Sequence, residues 1–474
     1  MTSTLEAPAL TAKPRRHIPI WLAIIAASLP MFMATLDNLV MTNALPSIRL
    51  DLGATVEELQ WFVNAFTLSF ASFILMAAAL GDRFGRRNVF VIGIVIFTIA
   101  SVFSALSTEP WMLIASRAAQ GFGAAAVMPL SLTLLVGSVE DRFRPLAIGI
   151  WGGITGLGVA LGPLVGGAVV EGWNWEAIFW LNVPVGIIAV PLALYALPNT
   201  FGAKLRADVL GLLLVGFGVL ALVYGIVSGN DKGWDSTEVV GSLAAGAVLI
   251  AAFIWWESRT KSPLLPLRLF RDRSFSVANI VGLTFSFGVF GSIFILIQFL
   301  QVVQGYSPLG AGVATMPWTL APMVVAPLAG LVAPRVGTRL LIIVGLTLQA
   351  TGILWLAAAM SADVAYTTML PAFIFAGIGM GLVFAPIATA VLATMTSDDH
   401  AKANGTNSTV REIGVALGIA VLTAVFVGAG GALTPELYVD AARPAILVGG
   451  LVLALSALIA FALPSGRAKL VVGH

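Results

Sequence analysis

Fourteen apolar runs, separated by short polar breaks, constrain this 474-residue chain more than any other feature of its sequence. A helix of about 20 apolar residues crosses the hydrocarbon core of a bilayer, and it satisfies its own backbone polar groups there. The runs therefore predict an all-α polytopic membrane protein. The expected segments are 19–44, 58–80, 89–107, 110–136, 146–170, 177–197, 208–229, 238–257, 275–303, 309–333, 340–360, 366–394, 405–428 and 443–463.

The composition of the chain argues against several classes of function. Only 10% of residues are charged and there is no cysteine, so neither a disulfide framework nor a thiol metal site is expected. A net charge of +2 gives no reason to expect a nucleic-acid partner. The sequence lacks a Walker loop and the HExxH motif, and its three histidines are scattered. We therefore expect no enzyme activity, no metal site and no cofactor.

The placement of positive charge predicts the topology. Twenty Lys and Arg residues fall in one set of alternating segments and tails, and three fall in the other set. By the positive-inside rule, both termini are expected in the cytoplasm. The N-terminal segment lacks a cleavable signal, so the first helix is expected to be retained in the cell membrane, the bacterial inner or plasma membrane.

An internal repeat predicts two related six-helix bundles. Arg83, Gly85, Arg87 and Gly93 recur 252 residues later, and the pentapeptide GVALG occurs at 158–162 and at 414–418. Transporters are often built from such repeats. The expected organisation is a tail (1–18), a first bundle (19–200), two inserted helices (208–257), a basic cytoplasmic linker (258–274), a second bundle (275–463) and a tail (464–474).

Asp37 is an ionisable residue inside the first apolar helix. Such a residue is costly in a membrane and is usually functional. One interpretation is a structural carboxylate that is hydrogen-bonded by Asn38, Asn43 or Asn64. The alternative is a carboxylate that faces an aqueous cavity, where a proton and an approaching cation compete for it.

Two other helices also carry charged residues. Arg117 lies in the fourth helix, where it is expected to face a cavity or a partner, or else to snorkel to the outer interface. Arg411 and Glu412 lie in the thirteenth helix, and adjacent helical residues do not face each other. Glu412 is either a second protonatable site or a structural residue near the cytoplasmic surface.

The loop LGDRFGRRN (80–88) combines turn glycines with a charged cluster. Gly85 permits a tight turn, and Asp82, Arg86 and Arg87 can pair with one another or with a helix end. The cluster is interpreted as a charged clasp that holds one conformation of the two bundles. The alternative is an ordinary positive-inside loop.

The segment GVALGPLVGG (158–167) contains glycines at four-residue spacing. Gly158, Gly162 and Gly166 share one helix face and allow another helix to approach closely. Pro163 bends the helix, and Gly167 directly follows the last of these spaced glycines. We interpret the segment as a packed kink that can act as a hinge or a seal.

Taken together, these motifs resemble the major facilitator superfamily, and within it the fourteen-helix drug:proton antiporters. LDNLVMTNALP (36–46) is similar to the family signature LDxTIVNVALP, and LGDRFGRR is similar to the loop motif GxLADRxGRR. GVALGPLVGG matches the antiporter motif GxxxGPxxGG, and WNWEAIFWLNVPVG (173–186) resembles WRWIFLINVPIG. Two positions depart from the loop motif: Ala78 replaces its first glycine, and Pro334 occupies the aspartate position of the second copy.

The resemblance implies a major facilitator fold and a proton-coupled exporter of lipophilic, monocationic drugs or dyes. Asp37 would bind a proton or cation, Arg117 would assist coupling, and the loop residues would gate the cytoplasmic face. The substrate cavity is expected to include Asn38, Trp61, Phe66 and Trp318, because cations favour aromatic faces. The expected partners are protons, small cationic substrates and the lipid bilayer, with the protein a monomer. The alternatives are an exporter of an endogenous metabolite, antibiotic or lipid, and a transport-dead receptor or scaffold.

Overall fold

The computed structural model describes residues 19–140, 143–201, 208–260, 263–395 and 400–464, which form helices joined by short connections. Of the two predicted tails, only residue 464 lies within the described residues. A 3₁₀ turn (Leu267–Arg271) precedes α10, and a π-helical turn (Phe299–Val303) follows it. The α-helices are α1 (Ile20–Leu52), α2 (Val56–Phe84), α3 (Arg86–Ala105), α4 (Pro110–Ser138), α5 (Arg144–Gly172), α6 (Ala177–Trp180), α7 (Asn182–Ala196), α8 (Val209–Lys232), α9 (Thr237–Glu257), α10 (Arg273–Gln298), α11 (Pro308–Val336), α12 (Thr338–Ala359), α13 (Tyr366–Leu392), α14 (His400–Gly428) and α15 (Pro435–Ala460).

The helices follow the apolar runs, and α6 with α7 covers a single run. Within the described residues, 12 helices are long and apolar enough to cross a membrane, and the bent α2 brings the number to 13. The apolar part of α5, Leu161–Gly172, is shorter. A count of fourteen spans and the cytoplasmic location of the termini therefore stay predictions.

Two helix boundaries differ clearly from the predicted ones. α1 extends to Leu52, where Gly53 ends it in the left-handed conformation with φ of 63°. α15 begins at Pro435, eight residues before the predicted start. In both cases the helix continues past the apolar run, because hydropathy marks the membrane core and not the end of backbone hydrogen bonding.

The two halves, α1–α7 and α10–α15, repeat the same helix pairing. α1 packs on α5, α2 and α3 pack on α4, and α3 packs on α7. In the second half, α10 packs on α14, α11 and α12 pack on α13, and α12 packs on α15. The glycines of the repeated loop share one backbone geometry, with φ of 99° at Gly85 and 88° at Gly337. The sequence repeat therefore corresponds to a structural repeat.

The helices α8 and α9 pair with each other and lie beside the contact between the two halves. α8 packs against α2 of the first half and α14 of the second half. Ser228 of α8 donates a hydrogen bond to Glu57 of α2 at 3.1 Å, and Asn230 donates to the carbonyl of Ala424 on α14. α8 thus bonds to both halves at once.

The two halves meet closely at one end of the molecule, which we call the closed end. There α5 packs against α11. Gln301 donates to the carbonyl of Asn43 at 2.9 Å, and the amide of Leu309 donates to Glu171 at 3.2 Å. The other end, which carries the loop between α2 and α3, is called the α2–α3 end.

Candidate functional site

The carboxylate of Asp37 lies in the interior of the first half and contacts α4 and α7. Asp37 is 4% exposed. Its Oδ2 accepts a hydrogen bond from Nη1 of Arg117 at 2.5 Å, and the two side chains form an ion pair. Its Oδ1 accepts from Nδ2 of Asn182 at 2.7 Å and from Nε2 of Gln120 at 3.3 Å. Side chains from three helices therefore converge on this carboxylate.

Hydroxyl groups of α3 support that network from behind. Oγ of Ser101 accepts hydrogen bonds from Gln120 at 2.9 Å and from Asn182 at 3.3 Å. Oγ of Ser104 donates to Oε1 of Gln120 at 3.3 Å. Because both serines are fully buried, these bonds fix the orientation of the amides that bind Asp37.

Arg117 is held by more than its ion pair. It is fully buried, and its Nε donates to the carbonyl of Phe62 at 3.1 Å while its Nη1 also donates to Gln120 at 2.9 Å. Its guanidinium carbon lies 4.5 Å from the ring centroid of Phe66. The snorkelling alternative is therefore wrong, because the side chain points into the bundle. Removing one partner of such a buried pair typically costs roughly 3–5 kcal/mol.

The surroundings of Asp37 differ from both sequence interpretations. Its bonded partners are Arg117, Gln120 and Asn182, not the three asparagines proposed from the sequence. Nor does Asp37 line the cavity described below, although its neighbour Asn38 does. Successive helical residues point about 100° apart, so α1 directs the carboxylate toward α4 and the amide toward the cavity.

A cavity of about 570 Å³ lies between the two halves and reaches the α2–α3 end. Helices α1, α2, α4 and α5 form one wall, and α10, α13 and α14 form the other. Its volume falls within the roughly 300–1,000 Å³ that is typical of small-molecule sites. The charged lining residues are Asp82, Arg86, Arg411 and Glu412, and the aromatic ones are Phe70, Trp151, Phe290 and Phe384.

Of the four residues predicted for the substrate cavity, only Asn38 lines it in this conformation. Trp61 packs on the Tyr224 ring of α8, with 6.3 Å between ring centroids. Phe66 lies under Arg117, and Trp318 is 1% exposed. The expectation for these three aromatic residues is thus not met here, because sequence alone does not tell which face of a uniformly apolar helix turns toward a cavity.

Glu412 lies on the cavity wall, beside Arg411 on α14. This position does not fit the interpretation of Glu412 as a merely structural residue at the surface. Neither side chain forms a hydrogen bond or an ion pair with another described residue. The second half therefore presents charge to the cavity, whereas the first half keeps its Asp37–Arg117 pair in its interior.

The loop between α2 and α3 is a charged turn at the mouth of the cavity. Asp82 and Arg86 form an ion pair at 2.7 Å, with both side chains 26% exposed. Gly85 between them adopts φ of 99°, which favours glycine. Arg87 donates to the carbonyl of Leu194 at 3.2 Å. These contacts stay within the first half, so among the described residues no charged clasp joins the two halves in this conformation.

The two copies of this loop differ in their charged contacts. In the first copy, the guanidinium of Arg83 lies 5.2 Å from the ring centroid of Phe84. In the second copy, Arg339 lies 5.7 Å from the ring centroid of Phe461. Since Pro334 stands where the first copy has its aspartate, only the first copy can form the aspartate–arginine pair.

The glycines of the α5 motif bring α5 into backbone contact with α1. A β-carbon at Gly162 would lie 2.6 Å from Cβ of Leu39, and one at Gly166 would lie 3.0 Å from Cα of Val40. Gly158 faces the same helix. Any side chain at Gly162 would push the helices apart, which agrees with the interpretation of the motif as a packing device.

The same motif also reaches the other half at the closed end. A β-carbon at Gly167 would lie 2.6 Å from Cα of Leu309 on α11. The carbonyl of Pro163 accepts a hydrogen bond from Asn43 at 2.5 Å. The α5 motif therefore packs on α1 along its length and on α11 at its end, and it forms part of the contact that closes the molecule.

Comparison with known proteins identifies the family. The Major Facilitator Superfamily model matches residues 27–419, with a second match over 278–472. The chain belongs to the major facilitator superfamily. It is 35% identical over 450 residues to the multidrug resistance protein Stp of Mycobacterium tuberculosis, which covers 91% of this chain and 83% of that protein.

Two further relatives have similar coverage. The tetracenomycin C resistance and export protein of Streptomyces glaucescens is 31% identical over 428 residues, 90% of this chain and 79% of the relative. The multidrug transporter protein MdtP of Bacillus subtilis is 30% identical over 424 residues, 88% of this chain and 78% of the relative. This facilitator is accordingly a transporter and not an enzyme, and it is a multi-pass protein of the cell membrane.

Sequence reasoning missed four residues of the Asp37 network: Ser101, Ser104, Gln120 and Asn182. Each is a polar side chain within an apolar helix, and that is the signal that could have found them. Gln120 lies one turn beyond Arg117, so the two share a face of α4. Their convergence with Ser101 and Asn182 depends on the packing of α3, α4 and α7.

Proposed function

We propose that this facilitator is a drug:proton antiporter that exports lipophilic cations by alternating access, with fourteen membrane spans and both termini in the cytoplasm. The names of its relatives, among them a multidrug transporter and two resistance proteins, support drug efflux. The observation that carries the proposal is a drug-sized cavity with Glu412 on its wall, which reaches one end of the molecule and is closed at the other.

In this proposal the described conformation faces the cytoplasm. The positive-inside rule assigns the α2–α3 end to the cytoplasmic side, and the cavity reaches that end at Asp82 and Arg86. The closed end, where Gly167 packs on Leu309, then faces outward. A substrate would enter from the cytoplasm and leave after the halves rock and open the closed end.

Glu412 would bind the positive charge of the substrate. Its carboxylate is within the membrane region, lines the cavity and has no protein partner among the described residues. The rings of Phe70 and Phe384 supply aromatic surface for a cation, and Asn38 supplies a polar contact. A proton on Glu412 would remove the attraction, so the proton and the cation compete.

Asp37 and Arg117 would couple proton binding to the change of conformation. Their ion pair requires an ionised Asp37, and a proton on Asp37 would leave Arg117 buried without a counter-charge, which is costly. A conformation in which water reaches Arg117 would reduce that cost. A ligand shifts a conformational equilibrium only by binding the two states differently, and the pair supplies that difference for the proton.

The loop between α2 and α3 and the glycine motif of α5 would take part in the rocking of the two halves. The first half carries a charged turn that can contact the second half when the cytoplasmic side closes. Its residues are Asp82, Arg83, Gly85, Arg86 and Arg87. The glycine face of α5, with Gly158 and Gly162 against α1, allows α1 and α5 to move as one unit.

The proposal is tested in liposomes that contain the purified protein. An imposed proton gradient should drive uptake of an ethidium-like dye by the wild type, and collapse of the gradient by an ionophore should stop it. Glu412→Gln should weaken dye binding and abolish gradient-driven transport. Asp37→Asn should abolish gradient-driven accumulation but retain downhill dye exchange, because it removes the coupling group and leaves the cavity intact.

Two controls make this test specific. Glu109→Gln changes an exposed carboxylate at the start of α4 and should transport as the wild type does. The double variant Asp37→Asn/Arg117→Gln removes the buried unpaired charge and checks that lost coupling is not misfolding. Dye accumulation that ignores the proton gradient would contradict the antiport mechanism, and full coupling in the Asp37→Asn variant would remove Asp37 from it.

A second candidate function is export of an endogenous antibiotic or another metabolite, with drugs as incidental substrates. The name of the Streptomyces glaucescens relative includes resistance to and export of tetracenomycin C, which favours this candidate. A transport-dead receptor or scaffold is less favoured, because the cavity, the loop pair and the α5 packing are all present. Comparing cell extracts and media of a strain with and without the protein would identify an exported metabolite.

A further inference from the structure

Arg411 is a cation on the cavity wall that forms no ion pair with another described residue. Its Nε is buried and makes no hydrogen bond with any described residue. The guanidinium carbon lies 4.4 Å from the ring centroid of Phe384, and a β-carbon at Gly282 would lie 3.3 Å from Cγ of Arg411. The ring and the glycine therefore orient a guanidinium whose hydrogen-bonding capacity is unused.

Of the described charged residues of the wall, Arg411 and Glu412 are the two that form no ion pair with another described residue. Asp82 and Arg86 form an ion pair with each other at the mouth. Arg411 and Glu412 are neighbours on α14, so their side chains leave the helix about 100° apart. They present two opposite charges to one cavity at separate points.

A purely cationic substrate matches only half of this arrangement. It would pair with Glu412 but be repelled by Arg411, and it would leave the guanidinium without the acceptor oxygens that its fork geometry binds best. A carboxylate or phenolate oxygen on the same molecule would satisfy Arg411. Phe70, Phe290 and Phe384 line the space with aromatic rings, which suits a flat ring system.

We propose that the cavity recognises amphoteric aromatic compounds, in which one ring framework carries both an oxygen anion and an ammonium group. Arg411 binds the oxygen anion and Glu412 binds the ammonium. This inference rests on the proposed function and names the substrate class of the same cavity. It replaces the simple monocation expected from the sequence with a ligand that engages both charges.

A matched pair of dyes tests the proposal by equilibrium binding. One is a rhodamine with a free carboxylate, and the other is its methyl ester, which has the same ring cation but no anion. Fluorescence anisotropy with the purified full-length protein should show the carboxylate form binding at least tenfold more tightly. Arg411→Gln should abolish that preference by weakening the carboxylate form alone, and Arg411→Lys should restore part of it.

Two further variants complete the experiment. Glu412→Gln should weaken both dyes. Arg339 also lies over a phenylalanine ring but does not line the cavity. Arg339→Gln should therefore leave both affinities unchanged. This control separates the loss of an arginine–ring contact from the loss of the carboxylate preference. Equal affinities of the two dyes for the wild type, or equal weakening of both by Arg411→Gln, would overturn the inference.

The outcome is separable from that of the antiport proposal, because binding is measured without a proton gradient. Gradient-driven transport of the ester with no preference for the carboxylate would refute the inference and leave antiport standing. A tenfold preference that depends on Arg411, in a protein that shows no gradient-driven transport, would support the recognition and refute the antiport mechanism.

Discussion

The two halves of this facilitator use an intramembrane arginine in opposite ways. In the first half, Arg117 is fully buried and bonded to Asp37, a residue 80 positions away in the chain. In the second half, Arg411 lies next to Glu412 in the sequence but has no ion pair with a described residue, and both line the cavity. The sequence neighbours Arg411 and Glu412 thus form no ion pair with each other, whereas Asp37 and Arg117, which lie far apart in the sequence, do.

This difference shows that two halves with the same fold can use their charged residues differently. Both halves use the same helix pairing, so the scaffold does not decide which charge is satisfied. The first half pairs Asp37 with Arg117 internally, and in the proposed mechanism this pair senses protons through conformation. In the same proposal, the second half leaves its charges for a ligand.

The largest expected effect on stability tests the difference between Arg117 and Arg411 directly. Arg117→Gln leaves Asp37 buried without its counter-charge and should lower the free energy of unfolding by roughly 3–5 kcal/mol. Arg411→Gln should change it by less than about 1 kcal/mol, because no described residue forms an ion pair or a hydrogen bond with this side chain. Denaturant unfolding in detergent, followed by tryptophan fluorescence, measures both.

The double variant Arg117→Gln/Asp37→Asn serves as the control, since it removes both charges and should regain much of the lost stability. Similar losses for Arg117→Gln and Arg411→Gln would contradict the proposed difference between the halves.

A smaller effect is expected where the repeated glycines pack. Gly162 and Gly418 occupy equivalent positions of the repeat, 256 residues apart. A β-carbon at Gly162 would crowd a single atom, Cβ of Leu39, at 2.6 Å, whereas one at Gly418 would crowd the backbone of Phe287, with Cα and the carbonyl carbon both at 2.8 Å. Gly418→Ala should therefore destabilise the protein more than Gly162→Ala, within the roughly 1–3 kcal/mol typical of overpacking.

The same unfolding assay ranks these two variants. Gly241→Ala is the matched control, because a β-carbon there meets nothing within 4 Å and alanine is the better helix former. It should be neutral or slightly stabilising. If Gly162→Ala destabilised the protein more than Gly418→Ala, α10 would shift away from an added methyl group more easily than α1 does.

The smallest change in stability is expected at the loop. Asp82→Asn removes a partly exposed ion pair with Arg86 and should cost less than about 1 kcal/mol of stability. Its transport rate should nevertheless fall severalfold, because the charged turn is proposed to contact the second half during closure. Dye transport in liposomes measures the rate, with Arg339→Gln in the second copy as the control, and an unchanged rate would remove Asp82 from the gate.

Several features of the fold could be predicted from the sequence because they depend on local pattern. Each apolar run corresponds to a helix, or to α6 and α7 together, since the backbone in a membrane must satisfy its own hydrogen bonds. The repeat of Gly85 at Gly337 predicted a repeated turn, and both glycines adopt positive φ. The loop motif predicted that Asp82, Arg86 and Arg87 pair with one another or with a helix end, and in the structure Asp82 pairs with Arg86.

The site was less predictable, because its contacts are made between helices. Arg117 was expected to find a partner or a cavity, but nothing in its own helix indicates Asp37. Three aromatic residues expected in the cavity, Trp61, Phe66 and Trp318, pack elsewhere. A helix that is apolar on all sides gives no periodic signal for the face that it turns to a neighbour.

By itself, the sequence determined that this protein is a helical membrane protein with two related halves and a few costly charges, because hydrophobic length and charge placement are read along the chain. Only the tertiary structure decided that Asp37 is enclosed by Arg117, Gln120 and Asn182, while Arg411 and Glu412 remain available in the cavity. The reason is geometric: the rotation and packing of each helix about its neighbours select which side chains meet, and that selection leaves no mark on local sequence.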